Sequence, residues 1–247
     1  PTPDSCQPDA MDTELANPIA DNLSRVRERI AAAEARYGRP PGSVALLAVS
    51  KVQGAERIAA AHAAGQSAFG ESYVQEALDK QAVLADLPLV WHFIGRVQTN
   101  KTRDIAAHFD WLHSLCDGKH ARRLAAQRTA GAAPLQVCVQ VNLSGEASKA
   151  GVPPEDAAAL IDACRGLSGI AIAGLMTLPA PADDIATQRR PFAALRVLRD
   201  RLATPDLPLA TLSMGMTADL EAAIAEGATM VRVGTAVFGP RPPAGGR

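Results

Sequence analysis

Short apolar runs alternate with helix-length segments along this chain, and that alternation constrains the fold more than any other feature. The first run, residues 44–49, reads Val-Ala-Leu-Leu-Ala-Val without polar alternation and is closed by Ser50-Lys51. A run of that length and character suits a parallel strand buried on both faces. Comparable runs follow at 67–70, 90–94, 111–115, 135–141, 170–175, 209–213 and 230–233. Helical patterning fills the gaps at 55–64, 74–85, 101–108, 119–129, 155–164, 192–202 and 220–225. One more amphipathic helix precedes them, with Ile19, Leu23, Val26, Ile30 and Ala33 on its apolar face and Gly38 and Pro40-Pro41 ending it. Eight strands alternating with helices in 247 residues predict α/β architecture: a single (β/α)8 TIM barrel with an extra N-terminal helix. An open doubly wound sheet usually has fewer units. No linker or composition shift marks a second domain. Residues 1–17 read as a disordered N-terminal tail, 18–240 as the barrel and 241–247 as a flexible C-terminal tail.

Charge and composition narrow the function classes. Lys plus Arg number 25 against 26 Asp plus Glu, a formal net charge of −1, which removes the electrostatic case for nucleic acid or an anionic membrane surface. Aromatic residues make up 4%, too few for a base-stacking surface. No apolar stretch approaches the ~18 residues that span a bilayer, and the acidic, proline-rich start lacks the pattern of a signal peptide. Cys6, Cys116, Cys138 and Cys164 are widely spaced and form no CxxC, so reduced thiols in a cytoplasmic protein are expected. His62, His92, His108, His113 and His120 show no metal-ligand spacing; His108 and His113 read as core and surface residues rather than ligands.

Barrel sites lie at the C-terminal ends of the strands, which directs attention to three places. Lys51 directly follows the first strand in a chain with only five lysines. Lysine, unlike arginine, can lose its proton when desolvated and attack a carbonyl; a snorkelling strand-end residue is the plain structural alternative. The seventh strand is followed by Ser213-Met-Gly-Met-Thr217 and the eighth by Gly234-Thr-Ala-Val-Phe-Gly239. Small and hydroxyl residues at such positions suit a phosphate, and barrels commonly place one after strands seven and eight. Arg232, within an apolar strand, must face either the lumen or a helix. Together these features favour a phosphorylated carbonyl ligand.

An ordered set of motifs sharpens this expectation. Ala48-Val-Ser-Lys51, Phe69-Gly-Glu-Ser-Tyr-Val-Gln-Glu76, Trp91-His-Phe-Ile-Gly95, Gln98-Thr-Asn-Lys101, Gly174-Leu-Met176, Ser213-Met-Gly-Met216 and Val231-Arg-Val-Gly-Thr-Ala-Val-Phe-Gly239 resemble the pyridoxal-phosphate homeostasis protein family. That family, also called the proline synthetase co-transcribed family, is related to the N-terminal barrel of alanine racemase. The resemblance runs from Ile19 to Gly239. It implies pyridoxal 5′-phosphate (PLP) held as a Schiff base on Lys51, phosphate contacts from Ser213, Gly234 and Thr235, and Arg232 facing the pyridine nitrogen. The chain departs from the family pattern at Ser72, where Asn is usual, at Val52-Gln-Gly54, where a proline is often found, at Thr217, where Ser is common, and at Arg96.

The resemblance also implies a role: a PLP carrier and regulator of cofactor and amino-acid balance, without an established reaction and with no catalytic residues assigned. Apo-PLP enzymes are the implied acceptors, and a monomer is the expected state. An Arg opposite the pyridine nitrogen leaves that nitrogen unprotonated and weakens the ring as an electron sink. Alanine racemase uses a similar pairing, but a further β-domain supplies its catalytic Tyr. This sequence, ending at Arg247 directly after the eighth unit, reads as lacking that domain, and its tyrosines are Tyr37 and Tyr73 alone. The competing readings are a small fold-type III racemase or lyase, and a Schiff-base aldolase without PLP.

Overall fold

A computed structural model describes residues 10–144 and 150–240, with side chains from residue 18 onward. Eight parallel strands close into a barrel in sequence order, with β1 (Ala45–Val49) pairing both β2 (Ala68–Glu71) and β8 (Met230–Val233). Between them come β3 (Val90–Phe93), β4 (Trp111–Leu115), β5 (Leu135–Gln140), β6 (Ile170–Met176) and β7 (Thr211–Ser213). The expected barrel is therefore the observed one.

Helices form the outer ring: α1 (Ala10–Arg36), α2 (Ala55–Ala63), α3 (Val74–Val83), α4 (Thr102–His108), α5 (Gly118–Gln127), α6 (Ala157–Cys164), α7 (Ile185–Leu202), α8 (Leu220–Ala225) and α9 (Thr235–Phe238). Their apolar stripes pack on the outward faces of the strands; Phe93 of β3, for example, meets Phe109, just past α4, edge-on at 5.3 Å. Helix α1 lies against α2, α8 and α9. Its polar side chains reach the mouth of the barrel: Arg29 pairs with Glu221 at 2.8 Å and donates to the Thr217 carbonyl at 3.1 Å. Asn22 donates to the Val237 carbonyl at 3.1 Å.

Three expectations need correction. The expected disordered tail 1–17 does not hold for residues 10–17, whose backbone is already helical within α1; 1–9 and 241–247 lie outside the described residues. Ala10-Met-Asp-Thr-Glu-Leu-Ala is rich in helix formers, and these outweigh the proline-rich composition of the preceding residues. Helix α7 starts at Ile185, not 192, because Asp184 caps it by accepting from Thr187 N–H at 2.8 Å, and the helix runs on through Pro191. Residues 235–238, read as loop, form the short helix α9. Cys116, Cys138 and Cys164 are free, whereas Cys6 lies outside the described residues.

Candidate functional site

A cavity of about 300 Å3 opens at the C-terminal ends of the strands. Lys51 and Gln53 enter it from the turn after β1, Ser72 from the turn after β2, and Ile94 from the end of β3. Met176 and Leu178 come from the end of β6, Met216, Thr217 and Ala218 from the loop after β7, and Arg232, Gly234 and Thr235 from β8 and its turn. Among the described lining residues, Lys51 and Arg232 are the only ionisable ones, and both are cationic groups. Two turns are shaped by backbone needs. Gly215 has φ +93°, in the left-handed region that glycine adopts readily. Gly95 packs so closely under Ser72 that an added Cβ would lie 2.1 Å from the Ser72 carbonyl oxygen.

Arg232 forms the cavity floor and belongs to a buried polar chain that crosses the lumen. Its Nη1 donates to Ser213 Oγ at 2.7 Å and its Nη2 to the Thr177 carbonyl at 2.9 Å. Ser213 Oγ lies 2.8 Å from His113 Nδ1, and His113 Nε2 lies 2.9 Å from His92 Nδ1. β4 and β7 are not neighbours, so the His113–Ser213 bond can only run through the barrel interior. A guanidinium has only donors, so Ser213 Oγ accepts from Arg232. The imidazole tautomers set the direction of the Ser213–His113 and His113–His92 bonds. Both imidazoles are neutral at neutral pH. Burial pulls the His92 pKa down to about 3, and burial aided by the charge of Arg232 takes His113 well below its ordinary value. Burial also lowers Arg232 to about 10, opposed by the carboxylate of Asp219, so the guanidinium stays charged at neutral pH.

The structure brings Lys51, Arg232, Gly234 and Thr235 to one cavity. It does not bring Ser213 there. Ser213 is fully buried and its hydroxyl is committed to Arg232 and His113, so the expected phosphate contact is corrected to a support beneath the arginine. Thr217 and Ala218 hold the corresponding stretch of the cavity wall. Arg96 is exposed and does not line the cavity. Tyr73 is 59% exposed and lines a separate cleft with Val52 and Glu76, while Tyr37 packs against the guanidinium groups of Arg36 and Arg189. The sequence reading missed Gln53, Ile94, Met176 and Leu178 as lining residues, and the histidine pair as a support. The signal for the pair was present: two histidines inside apolar strands of a closed barrel. No group of three or more His, Cys, Asp or Glu among the described residues is placed to hold a metal ion, and none of the described helices is long and apolar enough to cross a membrane.

Residues 22–242 match the family described as alanine racemase, N-terminal domain. The pyridoxal phosphate homeostasis protein of Pseudomonas aeruginosa is 56% identical over 223 residues, covering 90% of this chain and 96% of that protein. The chain belongs to the pyridoxal phosphate homeostasis protein family. Among solved structures, PipY of Synechococcus elongatus, described with PLP bound, superimposes on this family member with a TM-score of 0.79 at 40% identity, covering 90% of this chain and all of that one (100%). Alanine racemase from Corynebacterium glutamicum, at 21% identity and a TM-score of 0.68, shares the fold over 94% of this chain and 64% of its own. In this member of the pyridoxal phosphate homeostasis protein family, Lys51, in the turn after β1, and Arg232, in β8, reach the cavity from two strands that pair directly.

Proposed function

We propose that this protein binds PLP at the barrel mouth, anchored on Lys51, and serves PLP homeostasis and amino-acid balance as a monomeric carrier that passes the cofactor to apo-PLP enzymes. The observation that carries the reading is the convergence of Lys51, the buried Arg232 and the turns after β7 and β8 on one cavity, in a chain 56% identical to a pyridoxal phosphate homeostasis protein. The donor set fits the group. A cavity of about 300 Å3 is at the small end of the ~300–1,000 Å3 usual for ligand sites, and its two charged lining residues are both cationic, as an anionic phosphate ester requires. PLP supplies an aldehyde that a lysine amine captures with loss of water.

The residues divide the work. Lys51 provides the amine. Met216–Ala218 and Gly234–Thr235 would provide backbone and hydroxyl groups for the phosphate. Arg232, held by Ser213 and the Thr177 carbonyl, is a fixed positive charge that would favour an unprotonated ring nitrogen beside it. The neutral histidines beneath it offer no proton at neutral pH. Two-base proton transfer at a substrate carbon requires a second acid or base across from the lysine. Arg232 is the only other ionisable group among the described lining residues, and it is a poor proton acceptor. The exposed rim residues Leu178 and Met216, at 40% and 37%, leave the mouth open to solvent and to exchange.

Titration of the ligand-free protein with PLP, followed by visible absorption and by reduction with borohydride, tests the reading. Saturable binding that becomes irreversible on reduction is expected, together with measurable transfer of PLP from the unreduced protein to an apo-enzyme. Turnover of an α-deuterated amino acid at roughly 1 s⁻¹ or more, lost in Lys51→Ala, would replace the carrier with a racemase or lyase.

A further inference from the structure

The backbone on both sides of Lys51 is held from one place on the neighbouring helix. Lys80 Nζ donates to the Ser50 carbonyl at 2.9 Å and so grips the peptide group that precedes Lys51. Glu76 Oε1 accepts from the Val52 N–H at 2.6 Å and grips the peptide group that follows it. Glu76 and Lys80 lie one turn apart on α3 and pair with each other at 2.5 Å. A third contact closes the cluster: Glu71 Oε1 accepts from Ser50 Oγ at 2.6 Å and from Lys80 Nζ at 2.8 Å. Lys80 is 6% exposed, and its ammonium is spent on these three oxygens, so it acts as a structural cation.

Val52 shows what the cluster achieves. Its φ is +58°, in the left-handed region that β-branched residues avoid. The residue is 42% exposed, so packing does little to hold that conformation. Strained backbone of this kind persists where the surroundings over-determine it, and here the Glu76 carboxylate does so. Stability alone is a poor explanation for the cluster. Buried ion pairs add little net stability, and Glu71 Oε2 is buried with no hydrogen-bond partner. Burial accordingly raises the Glu71 pKa against the pull of Lys80.

We propose that Glu76 and Lys80 are positioning residues for Lys51: their clamp holds the two flanking peptide groups, keeps Val52 left-handed, and thereby aims the lysine amine into the cavity shared with Arg232 and Thr235. The proposal rests on Lys51 being the anchoring lysine. Nothing in it requires either residue to touch the ligand.

The test compares the parent protein with Glu76→Ala, Glu76→Gln, Val52→Gly/Glu76→Ala and Lys51→Ala. The readouts are the dissociation constant for PLP, the fraction of protein linked after borohydride, and the thermal midpoint of the ligand-free form. Glu76→Ala is expected to weaken PLP binding about ten-fold, the scale of one released backbone strain, and to lower the linked fraction. Glu76→Gln keeps a carbonyl acceptor for Val52 N–H and should stay within about three-fold of the parent. Glycine adopts the left-handed region without help, so the double variant should recover most of the affinity lost in Glu76→Ala even if its thermal midpoint does not recover. Parent-like binding by Glu76→Ala overturns the clamp, as does a double variant no better than Glu76→Ala. If Lys51→Ala loses PLP while Glu76→Ala binds as the parent does, only the clamp falls. If Lys51→Ala binds as the parent does, the anchoring lysine itself is misassigned and the clamp falls with it.

Discussion

Acidification should destabilise this barrel from the inside, through the two lumen histidines that support Arg232. Burial holds the His92 pKa at about 3 and drives His113 well below its ordinary value, so neither gains a proton in the folded protein at mildly acidic pH. In the unfolded chain both titrate near ~6.5. The unfolded state therefore binds more protons than the folded state as pH falls from ~6.5 toward ~3. Stability is lost across that window and is unaffected by these groups above it. At about pH 5 each histidine favours unfolding by RT ln(1 + 10^1.5), roughly 2 kcal/mol, or roughly 4 kcal/mol for the pair. That is a large share of the ~5–15 kcal/mol that stabilises a typical domain. Glu71 and Asp219, whose pKa values burial raises, act in the opposite direction by binding protons in the folded state. His113→Gln separates the contributions: its stability should fall by roughly 2 kcal/mol less than the parent's between pH 8 and pH 5. Urea unfolding at the two pH values measures this, and NMR of the imidazole ring protons checks its premise. Titration of His92 or His113 between pH 5.5 and 7 in the folded protein would refute the reasoning, as would equal losses in the parent and the variant.

Other substitutions separate ligand contacts from scaffold. Thr235→Val should weaken PLP binding by about 1.5–3 kcal/mol, the worth of a hydrogen bond to a charged group, roughly ten- to a hundred-fold in the dissociation constant, with little change in urea stability. Ser213→Ala should do the reverse: it leaves Arg232 Nη1 and His113 Nδ1 unpaired in the interior, so folding stability drops by roughly 1–3 kcal/mol while the direct phosphate contacts remain. Gly95→Ala would drive a methyl group against the Ser72 carbonyl oxygen, and a stability loss of roughly 1–3 kcal/mol by urea unfolding is expected, with weaker PLP binding as Ser72 shifts in the cavity wall.

The barrel was legible because strands buried on both faces read as unbroken apolar runs; β4, α8 and β8 begin and end where the sequence placed them. Local signals failed where a polar cap carried the start. The first turns of α7, Ile185-Ala-Thr-Gln-Arg-Arg190, are mostly polar and precede Pro191, and only the Asp184 cap reveals them. That Lys51, Arg232, Gly234 and Thr235 line one cavity was readable from position, because strand C-terminal ends converge in any barrel. The direction of the Ser213 hydroxyl was not, since its partner His113 is 100 residues away and meets it only across the lumen. Glu76 and Lys80 were equally hidden. An acid and a base four residues apart on a helix read as an ordinary surface pair, and only the packing of α3 over the end of β1 buries the lysine and turns the pair toward Ser50 and Val52.

The central claim, that Lys51 anchors PLP in the cavity beside Arg232, is tested most directly by peptide mapping after reduction. The folded protein is loaded with PLP, treated with borohydride, denatured and digested, and the phosphopyridoxyl group is located by mass spectrometry. The expected result is one modified peptide, carrying the group on Lys51 and absent from Lys51→Ala. A group found mainly on Lys80, Lys101, Lys119 or Lys149 in the folded parent would contradict the account.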